Sequence, residues 1–206
     1  VAGFDLTFSA PKSVSALWAL APAPVQEQLY LAHRAALAST FERIEAEAAF
    51  TRMGTHGVRR VRTTGLVAAA FDHWDSRKGD PQLHTHVTVA NRVQGADGRW
   101  RTLDAAVLHQ AAVAYSDTYD LLLADEVTRR TGLTWGPRER HAGSNRRLGR
   151  ELTPVPDALI AAFSQRSADI EAAVDTAIAN VVLRTGRRPD TNAINRIRQH
   201  LTLATR

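Results

Sequence analysis

Two of the chain's eight histidines, His84 and His86, stand two residues apart in the run LHTHVTVA, residues 83–90. A third, His73, closes the apolar run GLVAAAFDH at 65–73. The run around the pair alternates as a strand does. Leu83, Thr85, Val87 and Val89 fall on one face; His84, His86, Thr88 and Ala90 fall on the other. Same-face neighbours on a strand are about 6.6–6.8 Å apart along the backbone, so two imidazoles can converge on one ion held about 2.0–2.1 Å from each nitrogen. If 65–73 is the neighbouring antiparallel strand, the DSRKGDPQ segment is the connection and His73 lands beside the pair. Three neutral nitrogen donors leave a divalent cation (Mg, Mn or Zn) with open positions, which suits a catalytic centre better than a closed structural one. Such a cation polarises a phosphoryl oxygen or activates a water. A pair of histidines on a solvent-facing strand is the competing explanation.

A carboxylate behind a ligating imidazole fixes its tautomer, or acts as a general base. Asp5, Asp72, Asp75 and Asp80 are the candidates. Asp5 is the one on a separate strand, 3–9, where Phe4, Leu6 and Phe8 alternate with Asp5, Thr7 and Ser9. On the residues alone, a strand-end carboxylate making a surface or helix-capping contact is the favoured explanation of Asp5.

The elements that must position these groups predict an α+β fold. It has two layers, a mainly antiparallel sheet with the histidines on adjacent strands, helices packed largely on one face, and a helical C-terminal part. After strand 3–9, Pro11 opens a short helix ended by Pro22 and Pro24. The longest helical pattern runs from 25 to about 50, with Leu29, Ala32, Ala36, Leu37, Phe41 and Ile44 on one side. Residues 53–57 read as a turn. Residues 58–62 and 66–74 read as strands, the second a central one buried on both faces because Val67–Ala70 lacks alternation. The pattern QGADG at 94–98 is a hairpin turn. Asp104 is placed to cap a helical region that runs to Thr131, with a break near Gln110, before Gly132 ends it. Residues 136–150 read as a loop, and helices follow over about 156–164, 168–185 and after Asp190. The domain boundaries expected are 1–150 for the core and 151–206 for a helical extension of the same domain.

Composition narrows the class. No run approaches the roughly 20 apolar residues of a membrane span, so membrane insertion is not expected. The first residues do not resemble a signal peptide. Cysteine is absent, which excludes disulfides and thiolate ligands and is compatible with a cytoplasmic site. Basic residues outnumber acidic ones 26 to 21, and all the basic ones except Lys12 and Lys78 are arginine. Arginine suits bidentate phosphate contacts and base stacking. A biased genome composition, which also inflates alanine, explains the excess as well.

Three ordered stretches, GFDLTFSAPKSVSALWAL at 3–20, FDHWDSRKGDPQLHTHVTVANRV at 71–93 and DGRWRTLD at 97–104, resemble the relaxase domain of MobF-type conjugative relaxases, the TrwC/TraI group of the HUH endonucleases. The resemblance continues more loosely through Tyr115, Tyr119, FSQRS at 163–167 and the closing TLATR. It implies that His73, His84 and His86 hold the metal that engages the scissile phosphate of single-stranded DNA. Asp5 matches the carboxylate that assists the nucleophile, and Arg77 matches a position along the bound strand, though an exposed loop arginine is a bland alternative. The implied reaction is nicking and rejoining of single-stranded or hairpin DNA at a transfer origin. A tyrosine attacks, leaving a 5′-phosphotyrosyl link and a free 3′-OH. The implied setting is the bacterial cytoplasm during conjugative transfer, with a helicase region and conjugation machinery as partners of the parent protein.

In that family the nucleophilic tyrosine precedes the DLTFSAP motif. Tyr30 lies on the long helix, and Tyr115 and Tyr119 are four apart on another, where packing is their expected role. The chain is therefore expected to be a fragment that lacks its nucleophile. The alternative function is a catalytically inert module that binds metal and single-stranded DNA. A metallohydrolase using a metal-bound water is a third reading.

Overall fold

The computed structural model describes residues 1–138 and 149–204. The chain forms β1 (Gly3–Ser9), α1 (Lys12–Leu20), α2 (Ala23–Ala48), β2 (Phe50–Met53), β3 (Arg59–Arg62), β4 (Ala68–Asp75), β5 (Pro81–Ala90), β6 (Val93–Gln94), β7 (Trp100–Arg101), α3 (Ala106–Thr131), β8 (Trp135–Arg138), β9 (Gly149–Leu152), α4 (Asp157–Ala162), α5 (Gln165–Thr185) and α6 (Thr191–Ala204). This is the expected α+β architecture. Its central sheet is antiparallel, in the order β1-β5-β4, and the described residues also form three two-stranded ribbons.

β5 is the central strand, and its alternation decides the layers. Leu83, Thr85, Val87 and Val89 are 0–3% exposed and face the helices. Against them pack Leu29, Ala32, Ala36, Leu37 and Ile44 of α2 and Leu108, Tyr115, Tyr119, Leu123 and Val127 of α3. Each fully buried leucine contributes about 1.5–3 kcal/mol by leaving water. α1 closes one end, where the Ser15 hydroxyl accepts the Leu83 N–H at 3.0 Å.

Several expectations are corrected. β4 is an edge strand, and Ala68–Phe71 are exposed. Its run of small apolar residues reflects the alanine-rich composition rather than burial on two faces. Residues 58–62 hold the expected strand, but it does not adjoin β4. β3 pairs instead with β2, which the sequence pattern hid within a helix end and a turn. β2 and β3 alternate poorly because arginines occupy both faces, with the Arg60 and Arg62 guanidiniums over the Phe50 ring at 5.8 and 5.2 Å. α3 is unbroken at Gln110, since nothing there opposes helix, and Gly132 ends it with φ 71° as expected. Asp104 is taken up mainly by Arg52 and Arg60, each at 3.0 Å. The expected loop 136–150 begins and ends as the ribbon β8–β9; 139–148 lie outside the described residues.

The C-terminal helices are tied to the β4–β5 connection. The buried Asp80 carboxylate accepts the Arg166 N–H at 3.3 Å, which places negative charge at the N-terminus of α5. Lys78 pairs with Asp169 at 2.6 Å.

Candidate metal centre

The register of the β4–β5 hairpin sets His73 directly opposite His84, and Phe71 opposite His86. The connection is short. Ser76 N–H bonds the Asp80 carbonyl at 2.8 Å, Gly79 N–H bonds the Ser76 carbonyl at 2.9 Å, and Gly79 supplies φ 77° at the turn. A register shift between His73 and Asp75 lets the hairpin close without displacing His73 from the face of the pair. The three rings form a near-equilateral triangle with centroids 5.0–5.2 Å apart. One ligand nitrogen from each lies within 4.8 Å of the others.

Hydrogen bonds orient two of the three rings. His84 Nδ1 lies 2.8 Å from the Gln82 carbonyl, an acceptor, so Nδ1 carries the proton and Nε2 keeps its lone pair. His86 Nδ1 lies 2.8 Å from Asp5 Oδ2, with Thr7 Oγ1 at 3.3 Å, and the same logic frees its Nε2. Asp5 comes from β1, which pairs with β5 on the side opposite β4. The sheet therefore brings the separate carboxylate to the triad. Three imidazoles, two of them with the tautomer set by a neighbour, fit a divalent cation. Burial, opposed by the Gln82 hydrogen bond and reinforced by the neighbouring imidazoles, lowers the pKa of His84 and favours the neutral form that ligation needs. His73 is exposed and the His86 side chain is 31% exposed, so the face is open to a large ligand.

Arg77 lies in the β4–β5 connection and is exposed. Asp72, on the same strand as His73, points the other way, into the helix layer. There it accepts hydrogen bonds from Thr85 Oγ1 at 2.6 Å, Tyr30 at 2.8 Å and Arg34 at 3.1 Å. Desolvation pushes the Asp72 carboxyl upward, but these three partners outweigh it and hold the group below the usual carboxylate range. Sequence reasoning missed the residue behind this cluster. His33 has no solvent exposure and hydrogen-bonds both Tyr119 and Thr85, each at 2.7 Å. Its signal was present, since His33 lies four residues after Leu29 and four before Leu37 on the apolar stripe of α2, where a polar group must find partners. Tyr30, Tyr115 and Tyr119 all serve the helix layer. Tyr30 bonds Asp72, Tyr119 bonds His33, and Tyr115 is buried in the core.

A model of the TrwC relaxase family matches residues 1–206. Over 104 residues, 50% of this chain, the sequence is 47% identical to the multifunctional conjugation protein TraI of Escherichia coli, and 45% identical to that of strain K12. The matched stretch spans 6% of either relative. Among solved structures, TrwC complexed with a 27-mer DNA comprising the recognition hairpin and the cleavage site superposes with a TM-score of 0.71 at 31% identity, covering 97% of this chain and 65% of that one. The metal-bound conjugative relaxase TrwC in complex with oriT DNA gives a TM-score of 0.73 at 29% identity, covering 98% of this chain and 72% of that one.

Proposed function

Because this chain belongs to the TrwC relaxase family, the MobF-type relaxases, we propose that it supplies the metal-binding part of an active centre that nicks and rejoins single-stranded DNA at a transfer origin. One observation carries the reading, the convergence of His73, His84 and His86 on a single point with two tautomers already set for ligation. A divalent cation held there (Mg, Mn or Zn) supplies Lewis-acid stabilisation of negative charge on the scissile phosphate, worth several kcal/mol in the transition state. The chain's residues do the rest. His84 and His86 present Nε2, Asp5 holds His86 in place, and Arg77 contacts the phosphates of the bound strand. The Asp5 side chain is 55% exposed, so it can also accept the proton of an attacking hydroxyl.

In the reaction proposed, a tyrosine O–P bond forms as the P–O3′ bond breaks. The phenolic proton passes to a base, and the departing 3′ oxygen takes up a proton. One phosphodiester replaces another, so the reverse step reseals the strand. In this reading the tyrosine lies outside residues 1–206, which is supported by the hydrogen bonds and packing of Tyr30, Tyr115 and Tyr119 in the helix layer. Residues 1–150 are read as the core and 151–206 as its helical extension. The setting is conjugative transfer in the bacterial cytoplasm, beside a helicase region and the transfer machinery. Among the described residues no helix is long and apolar enough to cross a membrane.

Mixing the chain with Mn(II) and an oligonucleotide carrying a hairpin and a single-stranded tail tests this. The expected result is metal-dependent binding without a covalent adduct, and strand exchange by the parent protein that is lost in His84→Ala. An adduct abolished by joint Tyr115→Phe and Tyr119→Phe substitution would place the nucleophile inside this chain. Turnover of simple phosphodiesters without any tyrosine would favour a hydrolase. A parent that binds DNA but never exchanges strands would leave the inert binding module as the function.

A further inference from the structure

Beneath the triad, on the helix side of the sheet, a buried chain of polar groups has a direction that its geometry determines. Asp72 is a carboxylate facing three donors, so it only accepts. The single Thr85 hydroxyl proton therefore points to Asp72 Oδ1 at 2.6 Å. His33 Nε2, 2.7 Å from the same hydroxyl oxygen, must then donate to it. An imidazole with no solvent exposure, beside the Arg34 side chain that also binds Asp72, is neutral, which leaves Nδ1 as an acceptor for the Tyr119 O–H at 2.7 Å. Every proton is thereby assigned, from Tyr119 to His33 to Thr85 to Asp72. The members come from α3, α2, β5 and β4, so the chain cross-links the helix layer to both strands of the hairpin.

Thr85 is the residue between the two ligands of β5. Its side chain is the one polar group on the helix face of that strand, among Leu83, Val87 and Val89. Asp72 is likewise the residue before His73 on β4, directly opposite Thr85. Pinning this pair fixes the backbone segments from which all three imidazoles project. An apolar residue at 85 would satisfy the packing but would not tie β4, β5 and α2 to one another.

We propose that His33 and Thr85 are positioning residues for the metal centre, acting through this directional hydrogen-bond chain to hold His73, His84 and His86 in ligating geometry. The inference rests on the metal reading of the triad, and the test separates the two. Co(II) is titrated into the unsubstituted chain, Thr85→Val, Thr85→Ser and Tyr119→Phe, reading affinity and the visible d–d spectrum, with far-UV circular dichroism as the fold control. Thr85→Val, isosteric but without the hydroxyl, should weaken Co(II) binding about ten-fold and alter the spectrum, while Thr85→Ser keeps both. Should Thr85→Val not fold, Tyr119→Phe reads the same quantity, with a several-fold loss expected. Nitrogen-15 shifts of the His33 ring in the metal-free chain should show the Nε2–H tautomer, and the Nδ1–H tautomer would contradict the assigned direction. Unchanged affinity and spectrum in the folded variant that is read overturn the positioning role. No Co(II) spectrum from the unsubstituted chain defeats the metal reading itself, and this inference falls with it.

Discussion

Two residues at this site make opposite demands on protons. His33 is buried without exposure, and desolvation lowers its pKa to about 4. Unfolding returns it to its ordinary value near 6.5. Below pH 6.5 the unfolded chain binds a proton that the folded chain refuses, so stability is full above 6.5 and is lost as pH falls toward 4. The loss should be on the order of 3 kcal/mol. Urea unfolding at pH 7.5 and 4.5 measures it, and a His33→Gln variant should show much less of this acid sensitivity. Asp5 acts differently, by accepting the His86 Nδ1–H at 2.8 Å. Asp5→Ala should lower metal affinity about 10–100-fold with little change in unfolding midpoint, and calorimetric titration with Mn(II) or Zn(II) would reveal an unchanged affinity if the carboxylate is a bystander. Metal affinity as a whole should fall on acidification, since ligating imidazoles must be neutral. An affinity constant from pH 5 to 8 would count against three histidine ligands.

At the scale of elements, the site depends on β1 lying tightly against β5, because β1 delivers Asp5. Gly3 lies close against β5, and a Cβ there would sit 2.7 Å from the Val89 carbonyl oxygen. Backbone cannot yield as a flexible side chain does. Gly3→Ala should therefore cost about 1–3 kcal/mol, read as a lower urea midpoint, and a wild-type midpoint would mean that β1 shifts freely. The hairpin itself was legible. Alternation around His84 and His86, an antecedent apolar run and a turn-rich connection predicted its strands and the shared face of the three histidines. β2 and the ribbon β8–β9 were less legible; β3 was legible as a strand, its pairing with β2 was not. β2, β8 and β9 are four residues each, and their pairing partners rather than their own patterns make them strands.

For the whole molecule, the excess of 26 basic over 21 acidic residues is a net charge that nucleic acid can exploit. Part of it is spent internally, as with Arg34 on Asp72, Arg52 and Arg60 on Asp104, and Arg198 on Glu171. Binding of single-stranded DNA should weaken with salt, with a log–log slope near −0.7 per phosphate neutralised. A fluorescence anisotropy series from 50 to 300 mM salt (about the range over which phosphate contacts are screened) checks it, and a flat series would remove electrostatics from the recognition.

What the sequence by itself determined is the trio of histidines and their common face, because a strand's side-chain period of two and a hairpin's short connection leave little freedom. It also determined the family, through three ordered motifs. The sequence singled out Asp5 by its separate strand and by the family resemblance; only the tertiary structure shows how Asp5, and not Asp72, meets the triad. Asp5 and Asp72 are both near it in principle, yet the register of β1 turns Asp5 toward His86, while the pleat of β4 turns Asp72 into the helix layer. Tertiary structure also decided that His33 is not a ligand but the middle of a buried chain. That assignment depends on four elements meeting at Thr85, and partners remote in sequence set the hydrogen bonds there.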